Sequence, residues 1–226
     1  MPASELPAST LSTSETYRLM TDLVAPRPIA WVSTVDQDGR RNLAPFSYFQ
    51  GVCSRPPTIV LGLAWHPDGR MKDTLRNILE TREFVISHVS DGNVAAAVET
   101  SAPYTHEVSE WEAVGVEAAP SVTVQPPRVK GAKAALECVL RQAIPIGAGP
   151  TGKPSSTLVI AEVLHFAVAE GLLERDARGR LRPIDPALLG AVGRMGGIAY
   201  TRTDSRLEIP RPTLATLATP PEEEKP

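Results

Sequence analysis

The side chains with the clearest chemical potential open an amphipathic stretch, Lys72-Asp73-Thr74-Leu75-Arg76-Asn77. Apolar residues recur at 75, 78 and 79, the spacing of one helix face, and Asp73 or Thr74 is available as the N-cap. A helix start presents free N–H groups and the positive end of the dipole, which suits an anionic phosphate. Lys72 adds a charge, while Thr74 and Asn77 add hydrogen-bonding groups one turn apart on the same face. Asp73 would repel a phosphate that it faced, so it either caps the helix or meets a ligand hydroxyl. The same residues equally make an ordinary capped surface helix.

Two earlier segments carry complementary chemistry. In Asn42-Leu43-Ala44-Pro45-Phe46-Ser47-Tyr48-Phe49, small residues alternate with aromatics, near the amide of Asn42 and the hydroxyl of Ser47. A flat heteroaromatic ligand needs such a wall, with backbone groups for its polar edge and apolar faces for its ring. A core strand whose aromatics simply pack reads the same way. Pro26-Arg27-Pro28 feeds a run from Ile29 to Thr34, which would place Arg27 and the hydroxyls of Ser33 and Thr34 at one sheet edge. A plain strand with a polar end is the alternative.

Other patterns fail on mechanism. Gly147-Ala148-Gly149-Pro150-Thr151-Gly152-Lys153 matches both GxGxxG and GxxxxGK. Pro154 stands where a P-loop needs Ser or Thr, and Pro150 and Pro154 remove N–H donors from the loop. A hairpin loop is the expectation. His66, His88, His106 and His165 have no metal-ligand spacing, and there is no HExxH, CxxC or GxSxG, so no metal site is expected.

The elements that must position these groups are those of one soluble domain. The chain has 226 residues and a net charge of 23 − 26 = −3, with 42% apolar and 22% charged residues. That balance argues against a nucleic-acid-binding surface covering the molecule. Two cysteines, Cys53 and Cys138, make no disulfide scaffold. No apolar run reaches the ~18–20 residues of a membrane span, and the N-terminus lacks a basic start and apolar core. A cytoplasmic protein, without nucleic acid or membrane partners, is expected.

Residues 1–15 are expected as a mobile N-terminal arm, 16–208 as one domain, and 209–226 as a disordered Pro/Glu-rich tail. Strand patterns cover residues 29–35, 40–44, 58–63 and 83–89, with a turn at Asp36-Gln37-Asp38-Gly39. Residues 134–146 have helix-forming composition but Pro127 and Pro145 flank or interrupt them, and a strand is expected there. Residues 157–169 read as a long barrel strand, and 92–100 and 185–193 as short helices. Short strands with few helices point to a mainly β barrel with helical insertions.

In this order and spacing, PRPIAWVSTVDQDGRRNLAPFSYFQ, PPTIVLGL and KDTLRNILETREFVI resemble the flavin reductase-like family of FMN-binding split barrels. The resemblance runs from about Tyr17 to Tyr200, is strongest over 26–88, and includes a late Gly-Gly-x-x-Tyr at Gly196, Gly197 and Tyr200. It implies a six-stranded antiparallel Greek-key split β-barrel, working as a homodimer with FMN near the subunit interface. Ser33 and Thr34 would then meet the ribityl–phosphate end of FMN, and Ala44, Ser47, Tyr48 and Phe49 would line the isoalloxazine. Lys72, Thr74 and Asn77 would hold the phosphate, with Arg27 as a further candidate.

The implied activity is hydride transfer from NADH or NADPH to flavin, with reduced flavin passing to a partner monooxygenase. The family also contains flavoredoxin-like proteins that bind FMN and carry electrons without catalysis. Hydride transfer needs no general acid, so no catalytic residue is assigned. Tyr104, His106 and Tyr200 are candidates for the rim of the site.

Overall fold

A computed structural model describes residues 3–213. The expected C-terminal tail lies outside the described residues from 214 onward, and 209–213 have no regular structure. Near the N-terminus, α1 (Thr13–Leu23) starts on a capping box. Ser12 Oγ accepts from Glu15 N, and the Glu15 carboxylate accepts from Ser12 N at 2.8 Å. The helix therefore includes residues 13–15, which composition alone assigns to the arm.

The central sheet has seven strands, one more than the resemblance implies. They are β1 (Ala30–Val35), β2 (Arg41–Phe46), β3 (Phe49–Ser54), β4 (Pro57–Ala64), β5 (Glu83–His88), and two that follow short helices and bridges. Between β4 and β5 lies α2 (Asp73–Thr81); after β5 come α3 (Val94–Glu99), α4 (Glu110–Val114) and the two-residue strands β6 (Ala118–Ala119) and β7 (Arg128–Val129). The long hairpin β8 (Ala134–Ile146) and β9 (Ser156–Val168) completes the sheet. All pairings are antiparallel, in the non-sequential order β2-β1-β5-β8-β9-β4-β3. The added strand is β3, which leaves β2 through a bend at 47–48. There Gly62 N donates to Tyr48 O at 2.7 Å, so the two edges of the sheet meet and the sheet rolls up.

The loop with the two phosphate-loop patterns joins β8 to β9 as a hairpin, held by Gly149 N to Lys153 O at 2.7 Å and Ser155 N to Ile146 O at 3.1 Å. Beyond β9, α5 (Pro186–Leu189) is capped by Asp185 and ends on Gly190 at φ 58°. The helix expected over 185–193 stops there because the chain turns into β10 (Val192–Arg194), which pairs with β11 (Tyr200–Arg202).

Two apolar cores lie on opposite faces of β1. Ala30 and Val32 face the barrel interior with Leu61, Leu63, Phe84, Val159 and Ala161. Leu75 and Ile78 join them, so α2 plugs one end of the barrel. Trp31 faces the other core, with Leu43, Val89, Ala97 and Trp111, under α3 and α4. Every residue of β1 is buried as a result, which is why its sequence reads as a continuous run rather than an alternation. Buried Trp31 donates from Nε1 to Thr100 Oγ1 at 2.9 Å, fixing the end of α3.

Candidate functional site

The predicted side chains separate into two groups at opposite ends of the β1–β2 hairpin. At one end, Thr34 and Asn42 face each other across the ladder. Asn77 Nδ2 donates to Thr34 Oγ1 at 3.0 Å, and Asn42 Nδ2 donates to Thr74 Oγ1 at 2.9 Å. All four residues are buried, so this network pins α2 to the hairpin. Lys72 is the residue before the helix, half-buried and without a capping side-chain bond. Asp73 pairs with Arg76 at 2.7 Å. Ser33 is fully buried on the opposite face of β1 from Thr34, and its Oγ and Asn77 Oδ1 have no hydrogen-bond partner.

At the other end a cleft of about 200 Å³ is lined by Ile29, Pro45, Phe46 and Ser47, by Val89, and by Val94, Ala97 and Val98 of α3. Ser101, Arg194 and Tyr200 complete it. Four β1 residues separate the two ends from Ala30 to Thr34, roughly 13 Å at ~3.3 Å rise per residue. Of the expected ring wall, Ser47 lines the cleft. Ala44 pairs with Val32 away from it, Phe49 packs on the barrel core, and Tyr48 is exposed with its side chain against Gly62.

Arg27 ties this end together. Its guanidinium is buried and donates to the carbonyls of Thr21 at 2.5 Å, Val24 at 2.8 Å and Met195 at 3.1 Å. Its Nε donates to Ser47 Oγ at 3.3 Å. The Arg27 backbone also bridges Arg194 in both directions, at 3.0 and 2.8 Å. The late segment is thereby stitched onto the entrance to β1. Gly193 sits where a Cβ would stand 2.7 Å from Pro26 Cβ, so only glycine permits this approach.

Arg194, Ile29, Pro45 and the α3 residues are absent from the candidates drawn from the sequence. Arg194 carries a usable signal, standing two residues before Gly196-Gly197. The others are apolar and come together only through β1–β5 pairing and the packing of α3. Of the rim candidates, Tyr200 lines the cleft, whereas His106 joins a charged cluster at the other end. Its ring nitrogens lie 3.0 Å from Arg40 Nη1 and 2.9 Å from Arg76 Nη2, near Asp36 and Asp73.

Three buried ionisable groups frame the site. Burial raises the Glu110 carboxyl above its usual range, although it accepts from Leu43 N at 3.0 Å. Burial also opposes ionisation of Glu137, but the Thr123 hydroxyl and the Val122 and Thr123 amides outweigh it and hold that carboxyl low. Half-buried His88 is held below the usual imidazole range by desolvation and then by Lys133. Among the described residues, no group of three or more His, Cys, Asp or Glu side chains could hold a metal ion. None of their helices is long and apolar enough to cross a membrane.

A bound FMN fits this arrangement at its ring end, where apolar walls and the Ser47 hydroxyl meet, and at its phosphate end through Lys72 and the open N–H groups of the α2 start.

The family model described as flavin reductase like domain matches residues 23–185. The chain is similar to the structure of nitrilotriacetate monooxygenase component B from Bacillus cereus: 34% identity, 92% of this chain and 100% of that one, TM-score 0.85. It is similar also to the 2-nitrobenzoate 2-nitroreductase of Pseudomonas fluorescens: 32% identity, 93% and 98% of the two chains, TM-score 0.80. A split barrel domain protein of Shewanella frigidimarina, at 22% identity and TM-score 0.75 over 90% and 96% of the chains, shares the fold.

Proposed function

The chain belongs to the flavin reductase-like domain family, and on that premise we propose that it is an FMN-dependent oxidoreductase that takes a hydride from NADH or NADPH. The observation that carries this reading is the apolar cleft beside Ser47, set at the end of the same hairpin whose other end meets the start of α2. Bound FMN would supply the ring that accepts the hydride and passes electrons on.

The residues of the chain position and shield that ring. Pro45, Phe46 and Ile29 exclude water from one face, and Arg27 holds the Ser47 hydroxyl toward the polar edge. Lys72 and the first N–H groups of α2 hold the phosphate. Thr34, Thr74 and Asn77 act at that end by fixing α2 against the hairpin. Ser33, Ala44, Tyr48 and Phe49 support the wall from behind or from its open side.

The working form in this reading is a cytoplasmic homodimer that delivers electrons to a partner oxygenase. Similarity to a monooxygenase component B at 34% identity supports such a partner. A cleft open beside the ring wall favours turnover over the flavoredoxin-like carrier, since a small molecule can approach there.

An absorbance titration tests the proposal: purified protein with FMN, then NADH and NADPH under anaerobic conditions. A bound-flavin spectrum that bleaches within seconds supports the reductase and identifies the donor. Flavin that stays oxidised with both nucleotides but bleaches with dithionite assigns the protein as a carrier. Absence of flavin binding overturns the proposal.

A further inference from the structure

The cleft beside Ser47 is too small for a dinucleotide or for a whole flavin. At about 200 Å³ it falls below the ~300–1,000 Å³ of sites for drug-sized ligands, and its walls are mostly aliphatic. Such a space suits one six-membered ring bearing a small substituent. What stands at its edge decides which substituent.

That group is Arg194. Among the described residues it has no carboxylate partner, although nine other arginines form ion pairs. Its side chain is held in place from three directions. Nη1 donates to Ala199 O at 3.1 Å, Nη2 donates to Gly197 O, and the guanidinium carbon lies 4.6 Å from the centroid of the Tyr200 ring. Its backbone is zipped to Arg27 on one side and to Tyr200 on the other. Two of the five guanidinium N–H groups are thus committed and three remain. A fixed fork without an acid, at the edge of an apolar slot, is complementary to a planar carboxylate. Orienting Arg194 in advance also removes most of the ordering entropy from binding.

We propose that this cleft binds a monocyclic aromatic carboxylate, with its ring between Phe46 and α3 and its carboxylate on Arg194. The oxidoreductase proposed above would make this molecule an electron acceptor, and its chemical fate rests on that reading; its binding does not. The Ser101 hydroxyl lines the same cleft and supplies a hydrogen bond to a polar ring substituent.

The test is calorimetric titration of the full chain with benzoate and with benzamide, with and without saturating FMN. Benzoate should bind at least tenfold more tightly than benzamide in one or both forms. Arg194→Gln should reduce that preference to within about twofold, while Arg194→Lys retains part of it. Val98→Phe, which narrows the slot and leaves Arg194 in place, should weaken both ligands. Equal affinity for the two ligands in the unaltered protein, or binding of neither, overturns the proposal, and this comparison needs no variant to fold. Flavin absorbance recorded in the same samples separates the two proposals. FMN binding without a benzoate preference sinks the carboxylate site alone, whereas benzoate binding without FMN binding supports the site and sinks the FMN reading.

Discussion

Arg27 and Ser47 meet across the sheet bend with Nε 3.3 Å from Oγ, and the same guanidinium holds the carbonyls of Thr21, Val24 and Met195. One buried cation thus fixes the end of α1, the β10–β11 ribbon and the polar edge of the cleft. Arg27→Leu leaves three carbonyls without their donor, and a loss of about 2–4 kcal/mol is expected. Arg27→Lys keeps the charge but not the fork, so it should recover less than half of that loss. Urea unfolding of the three proteins measures both; equal midpoints would show that the tie contributes nothing.

Glu137 is fully buried on β8, and its carboxylate accepts from Thr123 N at 2.6 Å, Thr123 Oγ1 at 2.7 Å and Val122 N at 3.0 Å. It fastens the loop before β7 to the barrel. Its folded-state carboxyl is held low, so its stabilisation is present above the unfolded pKa of ~4.3 and is lost as pH falls through the folded value. Glu137→Gln turns an amide N–H₂ toward these donors and should cost about 2–3 kcal/mol at pH 7. The gap to the unaltered protein should narrow in melts below pH 4. A gap that stays constant with pH would exclude the carboxylate as its source.

The parts of this fold legible in the sequence are those where local signals and tertiary demands agree. β8 and β9 read as strands because Pro127, Pro145 and the Gly/Pro loop at 147–154 override the helix-forming composition of residues 134–146. α2 is evident from Leu75, Ile78 and Leu79. β3 is missed because five of its six residues are exposed and Gly51 dilutes the pattern, while its partner is supplied only by the bend at 47–48. α1 is missed although Ser12 and Glu15 spell a capping box, because Ser and Thr dominate the composition around them. The site is only half legible. Hydroxyl and amide types at 34, 74 and 77 mark polar positions, but nothing local tells that Asn77 reaches Thr34, 43 residues away, rather than a ligand.

Glu110 titrates in the opposite sense from Glu137. Burial raises its folded-state carboxyl, so the stabilisation is full below the unfolded pKa of ~4.3 and is lost as pH rises through the folded value. Glu110→Gln keeps an acceptor for Leu43 N and removes the buried charge. The variant should match the unaltered protein at pH 4 and exceed it at pH 7.5 by up to ~1 kcal/mol. Thermal melts at the two pH values decide this, and a variant less stable at pH 7.5 would contradict it.

Gly193 carries the close approach of β10 to Pro26, where an added Cβ would stand at 2.7 Å. Gly193→Ala should push β10 off the β1 entrance, cost about 1–3 kcal/mol and displace Arg194 from the cleft. Gly51→Ala is the control, with open space around its Cβ, and should stay within ~0.5 kcal/mol. Chemical denaturation gives the energies. Loss of benzoate affinity in Gly193→Ala alone would tie the ribbon position to the cleft.

The two classes of residue at the phosphate end are separable by stability. Lys72 is half-buried and makes no capping bond, so its removal leaves the packing intact. Lys72→Gln should weaken FMN about tenfold, the equivalent of one charge-assisted contact at ~1.4 kcal/mol, with the urea midpoint unchanged. Added salt should bring the unaltered protein toward the variant. Asn77→Ala instead takes the donor from buried Thr34 and should lower stability by about 1–3 kcal/mol, with FMN affinity falling as α2 loosens. Flavin fluorescence titration and unfolding of both variants separate charge from positioning. If Lys72→Gln binds FMN normally while Asn77→Ala loses FMN without losing stability, the phosphate contact passes from the lysine to the buried amide.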